Sequence, residues 1–310
     1  MIINTGCRTD IPAFYSKWFL NRIKEGYVLV RNPYYQEVVI KYELNPRVVD
    51  YLEFCTKNPK PLLEHLDELK KYKQFWSVTI TPYNKEIEIK VPNKQEVIQS
   101  FQRLSQKLGS KFMTWRYDPI FFYKEYTFER HIQEFSLIAK SLKGYTHICV
   151  ISFLDLYSKV KKNAPNYKVP TIKEQLELSK ELVKIASAND MVIYACCENS
   201  ILETVGVKCI GCRNQTLIEK TLGYKLNIPK VPNLRGSCSC VLGNDIGAYN
   251  TCLHFCRYCY ANESATAVLK NNKNHDDNSP LLIGNITSND KIVSAHQKSF
   301  KISEKQLQLF

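Results

Sequence analysis

Over the first two-thirds of the chain, short β-rich runs alternate with amphipathic segments, and this alternation limits the fold more than any other feature. The runs are Met1–Asn4, Val49–Cys55, Phe75–Thr81, Lys111–Tyr117, His147–Leu154 and Met191–Cys196. Between them, apolar residues recur at helical spacing. Several helix ends are marked. Pro12 suits the first turn of a helix after Thr9-Asp10, Asn93 and Gly109 bracket Lys94–Leu108, and Thr171-x-x-Glu174 reads as a capping box opening a helix to Ala188. Tyr27–Leu44 breaks the rhythm as two strands joined near Asn32-Pro33, an inserted hairpin. Repeated βα units with strongly apolar strands predict an α/β fold, a full or partial TIM-like (βα) barrel over residues 1–226.

From residue 227 the character changes. Asn227–Arg235 is a proline-containing linker, Cys238–Cys259 is rich in cysteine, and a helix is expected near Glu263–Leu269. The polar run Asn271–Ser279 follows, then a strap, Ser279–Phe310, ending in a short helix. Residues 227–310 therefore read as a cysteine-rich segment and strap packed on the body.

The chain has 310 residues, of which 44% are hydrophobic and 24% charged, as in ordinary globular proteins. No apolar run approaches the ~20 residues of a membrane helix. Met1-Ile2-Ile3-Asn4-Thr5 lacks the regions of a signal peptide. Twelve cysteines in such a chain argue for reduced thiols and metal binding rather than disulfides, so a cytoplasmic protein without a membrane partner is expected. The net charge is +13, nearly all of it before Gly236. A basic body can attract nucleic acid, but lysines such as Lys70, Lys71 and Lys73 are spread over helices rather than packed into one tract.

In βα barrels the active site forms at the C-terminal ends of the strands. Here nearly every expected strand runs into a polar group: Thr5-Gly6-Cys7-Arg8-Thr9-Asp10, Thr56-Lys57-Asn58-Pro59, Tyr83, Arg116-Tyr117-Asp118-Pro119, Ser152 with Asp155, and Glu198-Asn199. Asp10 and Asn199 also suit helix caps. Arg8, Lys57, Arg116 and Asp118 are charges beside apolar strands, which must be paired or face a polar cavity.

Cys252, Cys256 and Cys259 form Cys-x3-Cys-x-Tyr-Cys. Three thiolates at this spacing can hold three corners of a cubane [4Fe-4S] cluster and leave one iron open, whereas a closed electron-transfer cluster needs four. The alternative at this spacing is a zinc site completed by His254 or a distant cysteine. Cys238, Cys240, Cys209 and Cys212 supply four more thiolates, enough for a second iron–sulfur or zinc site, or for closing the first cluster. Cys149, Cys196-Cys197 and Cys55 sit in apolar runs as small hydrophobes, and Cys7 is ambiguous beside Arg8.

Cys-x3-Cys-x-Tyr-Cys resembles the signature of radical S-adenosylmethionine (SAM) enzymes, in which the open iron binds SAM and reduction yields a 5′-deoxyadenosyl radical. The body, with Cys7-Arg8-Thr9-Asp10-Ile11-Pro12, Thr56-Lys57-Asn58-Pro59, Trp115-Arg116-Tyr117-Asp118-Pro119 and Ser152-Phe153-Leu154-Asp155, resembles an uncharacterised prokaryotic family of unknown function. That family's C-terminal cysteine cluster is likened to that of radical SAM enzymes. The likeness extends through Asp245–Cys252, Tyr258–Asn262 and Ser279–Gly284. More distantly the chain is similar to spore photoproduct lyase, which shares Cys-x3-Cys-x-Tyr-Cys-Tyr and a Thr-Lys element. The order departs from that pattern, because the motif here follows the last strand. A circularly permuted radical SAM barrel reconciles the two.

These resemblances imply a [4Fe-4S] cluster and SAM as cofactors, an electron donor such as a flavodoxin or ferredoxin, and Lys57, Arg116 and Asp118 as residues holding SAM or substrate. Tyr258, Tyr260, Asn262, Arg8 and Asp155 become the neighbouring cofactor-binding groups. Two rival readings stand beside this one. The first is a non-enzymatic zinc or closed iron–sulfur protein that presents a nucleic-acid-binding surface. The second is a metal-independent barrel hydrolase or lyase using Arg116 and Asp118.

Overall fold

A computed structural model describes residues 1–229 and 238–302. The strands are β1 (Ile2–Asn4), β2 (Tyr27–Arg31), β3 (Val38–Glu43), β4 (Tyr51–Thr56), β5 (Gln74–Thr79), β6 (Met113–Ile120), β7 (Ile148–Phe153), β8 (Val192–Ala195), β9 (Asn244–Asp245) and β10 (Lys291–Ser294). The helices are α1 (Ile11–Phe14), α2 (Ser16–Glu25), α3 (Lys60–Leu63), α4 (Lys94–Leu108), α5 (Phe128–Leu142), α6 (Ser158–Asn163), α7 (Ile172–Ala188), α8 (Gln215–Leu222) and α9 (Ala265–Lys273). All six expected body strands are present within a few residues of their expected ends.

Seven strands form one parallel sheet in the order β8-β7-β6-β5-β4-β1-β9. From β4 to β8 each strand lies beside its predecessor with no reversal, so right-handed crossovers place the connecting helices on one face. There α3 packs on α4, α4 on α5 and α5 on α7. Strand alternation then divides the side chains. Phe54 stacks on Trp76 and meets Phe19 of α2 edge-on, and Trp115 lies against Phe135 of α5. These belong to the main helix-facing core.

The opposite face is layered along the strands. At its N-terminal end Ile2 and Tyr51 pack with Ile218 of α8, Leu226, Phe75, Val241 and Phe300 as an apolar plug. Above it, buried Glu53 accepts from Asn4 at 3.3 Å and pairs with Arg213. Beyond that come Cys55, Arg116 and Asp118. The register of β6 on β7 shifts between Tyr117 and Ile120, a local irregularity of the kind that re-aims side chains at strand ends.

Among the described residues no ladder joins the edge strands β8 and β9. Between them run residues 207–213 and 238–243. Lys208 bridges Tyr194 of β8, and the Val241 N–H donates to the Arg213 carbonyl at 2.9 Å.

The capping box at Thr171 and Glu174 is formed, Asp10 caps α1, and Asn199 caps the turn over Ser200–Val205. The hairpin β2–β3 is present and is extended by a strand not expected from the sequence: β10 pairs parallel with β3. The strap is thus partly a strand, and the segment after residue 227 also contributes β9 to the main sheet. Residues 230–235 of the expected linker and the expected terminal helix fall outside the described residues. No described helix is long and apolar enough to cross a membrane.

Candidate functional site

The loop carrying Cys252, Cys256 and Cys259 is tied down on both sides. The Asn250 N–H donates to the Ala261 carbonyl at 3.0 Å, and Asn262 Nδ2 to the Cys252 carbonyl at 2.8 Å. Cys256 bridges Glu88, while the Arg257 N–H donates to the Ile87 carbonyl and the Lys90 N–H to the His254 carbonyl. The motif is therefore laid against residues 87–90, which follow β5, at the C-terminal end of the sheet. Backbone N–H groups of Asp10 and His254 point at the Cys252 sulfur, and those of Ala261 and Asn262 at Cys259. Burial raises all three thiols above their ordinary range, and the Lys57 ammonium opposes that rise at Cys256.

Beneath the motif sits a polar cluster centred on Glu88. Its carboxylate accepts from Lys57 Nζ at 2.8 Å, from Thr81 at 2.6 Å and from the Tyr258 hydroxyl. Burial alone would raise Glu88, but Lys57 and the two hydroxyls hold it below the ordinary carboxylate value. Burial likewise depresses Lys57, yet Glu88, Cys256 and Asp118 leave it raised and charged. Its Nζ lies 5.6 Å from the centre of the Tyr258 ring. Tyr258 itself packs with Tyr83 and Phe121 in an aromatic cluster.

Asp10 links three elements. One carboxylate oxygen caps α1 through Ala13 N–H, and the other accepts from Lys57 N–H and meets His254 Nε2, each at 2.8 Å. His254 is buried, and its Nδ1 has no hydrogen-bond partner among the described residues.

Arg8 is held by Asp245 of β9 at 2.8 Å, with its guanidinium 6.0 Å from the centre of the Tyr249 ring. Tyr260 donates to the Cys7 carbonyl at 2.6 Å. Asp155 lies on the exposed loop after β7, whose Tyr157 approaches Tyr260, and Lys159 Nζ at the start of α6 donates to the Tyr260 carbonyl at 3.4 Å. Lys57, Tyr258, Tyr260, Asn262, Arg8 and Asp155 are thus all at the motif or the strand ends around it.

Arg116 and Asp118 pair with each other. Ser152 donates to Asp118 at 3.4 Å, but Arg116 turns to a different cysteine group, with Nη1 at 3.6 Å from the Cys212 sulfur. The sulfurs of Cys196, Cys212 and Cys240 all lie within 4.8 Å of one another, the one such ligand triple among the described residues. Cys197 contacts Cys196 and Cys238. Two expectations change here. Cys196 and Cys197 are not small hydrophobes of the core but part of this group, because they fall just past the end of β8 where the apolar run stops. Cys209 stands apart from it, its sulfur turned to the Asn199 carbonyl at 3.7 Å. Cys149 is buried as expected.

Sequence reasoning passed over Glu88, Asp245, Glu53 and Arg213. Glu53 carried a signal, since a charge inside the apolar run Tyr51-Leu52-Glu53-Phe54-Cys55 requires a buried partner. The others lie in loops or a two-residue strand with no periodic pattern.

A family model described as Domain of unknown function (DUF1848) matches residues 2–261. The chain belongs to this family. Its match takes in the sheet and ends two residues past Cys259, so both cysteine groups fall within DUF1848. No curated protein matches the chain.

Proposed function

We propose that this DUF1848 chain is a radical SAM-like iron–sulfur enzyme on a circularly permuted barrel, with Cys252, Cys256 and Cys259 holding a [4Fe-4S] cluster. The reading rests on three thiols at the C-terminal end of a singly wound parallel sheet, beside the charged Lys57. The donor set suits the group. Backbone N–H groups aimed at Cys252 and Cys259 stabilise thiolates and tune cluster potential. The three sulfurs are not gathered within 4.8 Å, wider than the roughly 3.8 Å edge of a tetrahedral zinc–thiolate site implies.

When bound, such a cluster would supply an open iron for SAM and, given an electron from a flavodoxin- or ferredoxin-like donor, the reductive cleavage that yields a 5′-deoxyadenosyl radical. The chain's own residues prepare that site. Glu88 and Tyr258 fix the Lys57 ammonium toward Cys256, where it offsets thiolate charge. Tyr258, Tyr83 and Phe121 exclude water from that side. Arg8, Asp118, Asp155 and Asn262 would supply the polar contacts to SAM or substrate from the motif and the strand ends around it.

Reduced protein incubated anaerobically with SAM should release 5′-deoxyadenosine. Lys57→Gln should slow release while iron and sulfide content stay unchanged. A fully loaded, reduced protein that yields no 5′-deoxyadenosine, with an EPR spectrum unmoved by SAM, overturns the proposal.

His254 favours a second reading. Its Nε2 is backed by Asp10 and its buried Nδ1 is unpartnered, the arrangement of a metal-ligating imidazole with a carboxylate behind it. A closed Cys3His zinc site would then fasten the motif to the body without catalysis. One zinc at this motif and no acid-labile sulfide would decide for it.

A further inference from the structure

We infer that Cys196, Cys212 and Cys240, with a fourth thiolate from the Cys197–Cys238 pair, form a second metal site for a single zinc-class ion, which locks the seam between β8 and β9. Three sulfurs lie within 4.8 Å of one another, and those of Cys212 and Cys240 are 3.3 Å apart. A tetrahedral ion with bonds of about 2.3 Å needs sulfurs roughly 3.8 Å apart, so small adjustments suffice. A disulfide needs about 2.05 Å, and a cubane with separate irons needs a wider set.

The location gives the ion its role. Cys196 directly follows β8, Cys212 lies in residues 207–213, and Cys240 precedes β9. Those two intervening segments are joined there by the hydrogen bond from Val241 to Arg213. The backbone is shaped around the sulfurs. Cys197 sits at φ 61°, an unfavourable conformation for a residue with a side chain. Gly211 has φ 91°, and a Cβ on it would come within 3.0–3.1 Å of Ser239, so only glycine lets the Cys212 turn approach the Cys238–Cys240 turn so closely. The Arg116 guanidinium, 3.6 Å from the Cys212 sulfur, supplies an N–H donor and positive charge to the thiolates. Four thiolates leave no open position, which marks a structural rather than a catalytic ion.

The test uses the full chain purified anaerobically, with zinc, iron and acid-labile sulfide quantified per chain. One zinc should persist in the triple variant Cys252→Ala/Cys256→Ala/Cys259→Ala and be lost in Cys212→Ser. Should Cys212→Ser fail to fold, the wild-type chain answers the question. Cobalt exchanged into it should show intense tetrahedral thiolate–cobalt absorption, and alkylation of Cys196, Cys212 and Cys240 should require prior chelation. Sulfide and iron persisting in the triple variant would reveal a second cluster, and free alkylation or a Cys212–Cys240 disulfide would show no metal. Each overturns the inference. Failure of the open-cluster reading shows instead as an absence of iron and sulfide from the wild-type chain, while the one zinc that persists in the triple variant is untouched.

Discussion

The two cysteine groups use the same side chain in opposite settings. Cys252, Cys256 and Cys259 come from one short loop, and their sulfurs do not all lie within 4.8 Å of one another, while N–H donors and Lys57 stand beside them. Cys196, Cys212 and Cys240 come from three segments spread over 45 residues, and their sulfurs converge within 4.8 Å. A local loop can be displaced without opening the sheet, so it suits a group that reacts. A site whose ligands lie on both sides of a seam holds the fold together. Chemistry and scaffold should therefore respond differently to substitution.

The largest expected effect tests that division directly. Cys212→Ser should cost about 4 kcal/mol or more, as loss of a structural metal does, whereas Cys256→Ser should remove iron yet move the unfolding midpoint little. Urea titration of both variants would break the comparison if their losses matched. Next comes Arg213→Met, which strands Glu53 in the interior without its cation. Removing one partner of a buried pair costs about 3–5 kcal/mol, and Glu53→Gln on the same background should recover part of it.

His131 provides a control that touches neither group. It bridges the Tyr117 hydroxyl and the Phe121 carbonyl, each at 2.9 Å, and burial lowers it from an ordinary 6.5 to about 4. Because the unfolded chain binds the proton more readily, stability is full above about pH 6.5 and falls progressively toward pH 4. At about 1.4 kcal/mol per pH unit the loss is about 3 kcal/mol. Calorimetry across that range should show the decline, and His131→Gln should flatten it while leaving metal content unchanged. The smallest effect belongs to Tyr258→Phe. It removes one hydrogen bond to the charged Glu88 at a net cost of about 2 kcal/mol, sharpening the comparison if the reduction potential of the bound cluster shifts while zinc content does not.

Much of this was legible from periodicity and caps. The six body strands, the helix brackets at Asn93 and Gly109, and the box at Thr171 and Glu174 are local signals, and local physics writes them. What escaped was non-local. Asn244-Asp245 becomes a strand only because β1 offers its edge, and Lys291–Ser294 only because β3 does. Cys196 reads as apolar filler from its neighbours, since nothing near it announces Cys212 or Cys240. Arg116 was placed by its strand end, but which cysteines it faces depends on how residues 207–213 fold back beside β8.

The pairing of the last segments with the first has a consequence for biogenesis. Strands β4 to β8 find their neighbours as they leave the ribosome, in sequence order. β1 must wait for β9, and β3 for β10, each about 250 residues later in synthesis. Trp18 waits too, for the Ser279 carbonyl that it meets at 2.8 Å. Until then Cys196 and Cys212 lack Cys240, and Lys57 and Glu88 lack Cys256 and Tyr258. On the proposed reading, metal loading waits until Cys240 and Cys259 have been made, and a chain truncated before them carries thiols with no site to complete.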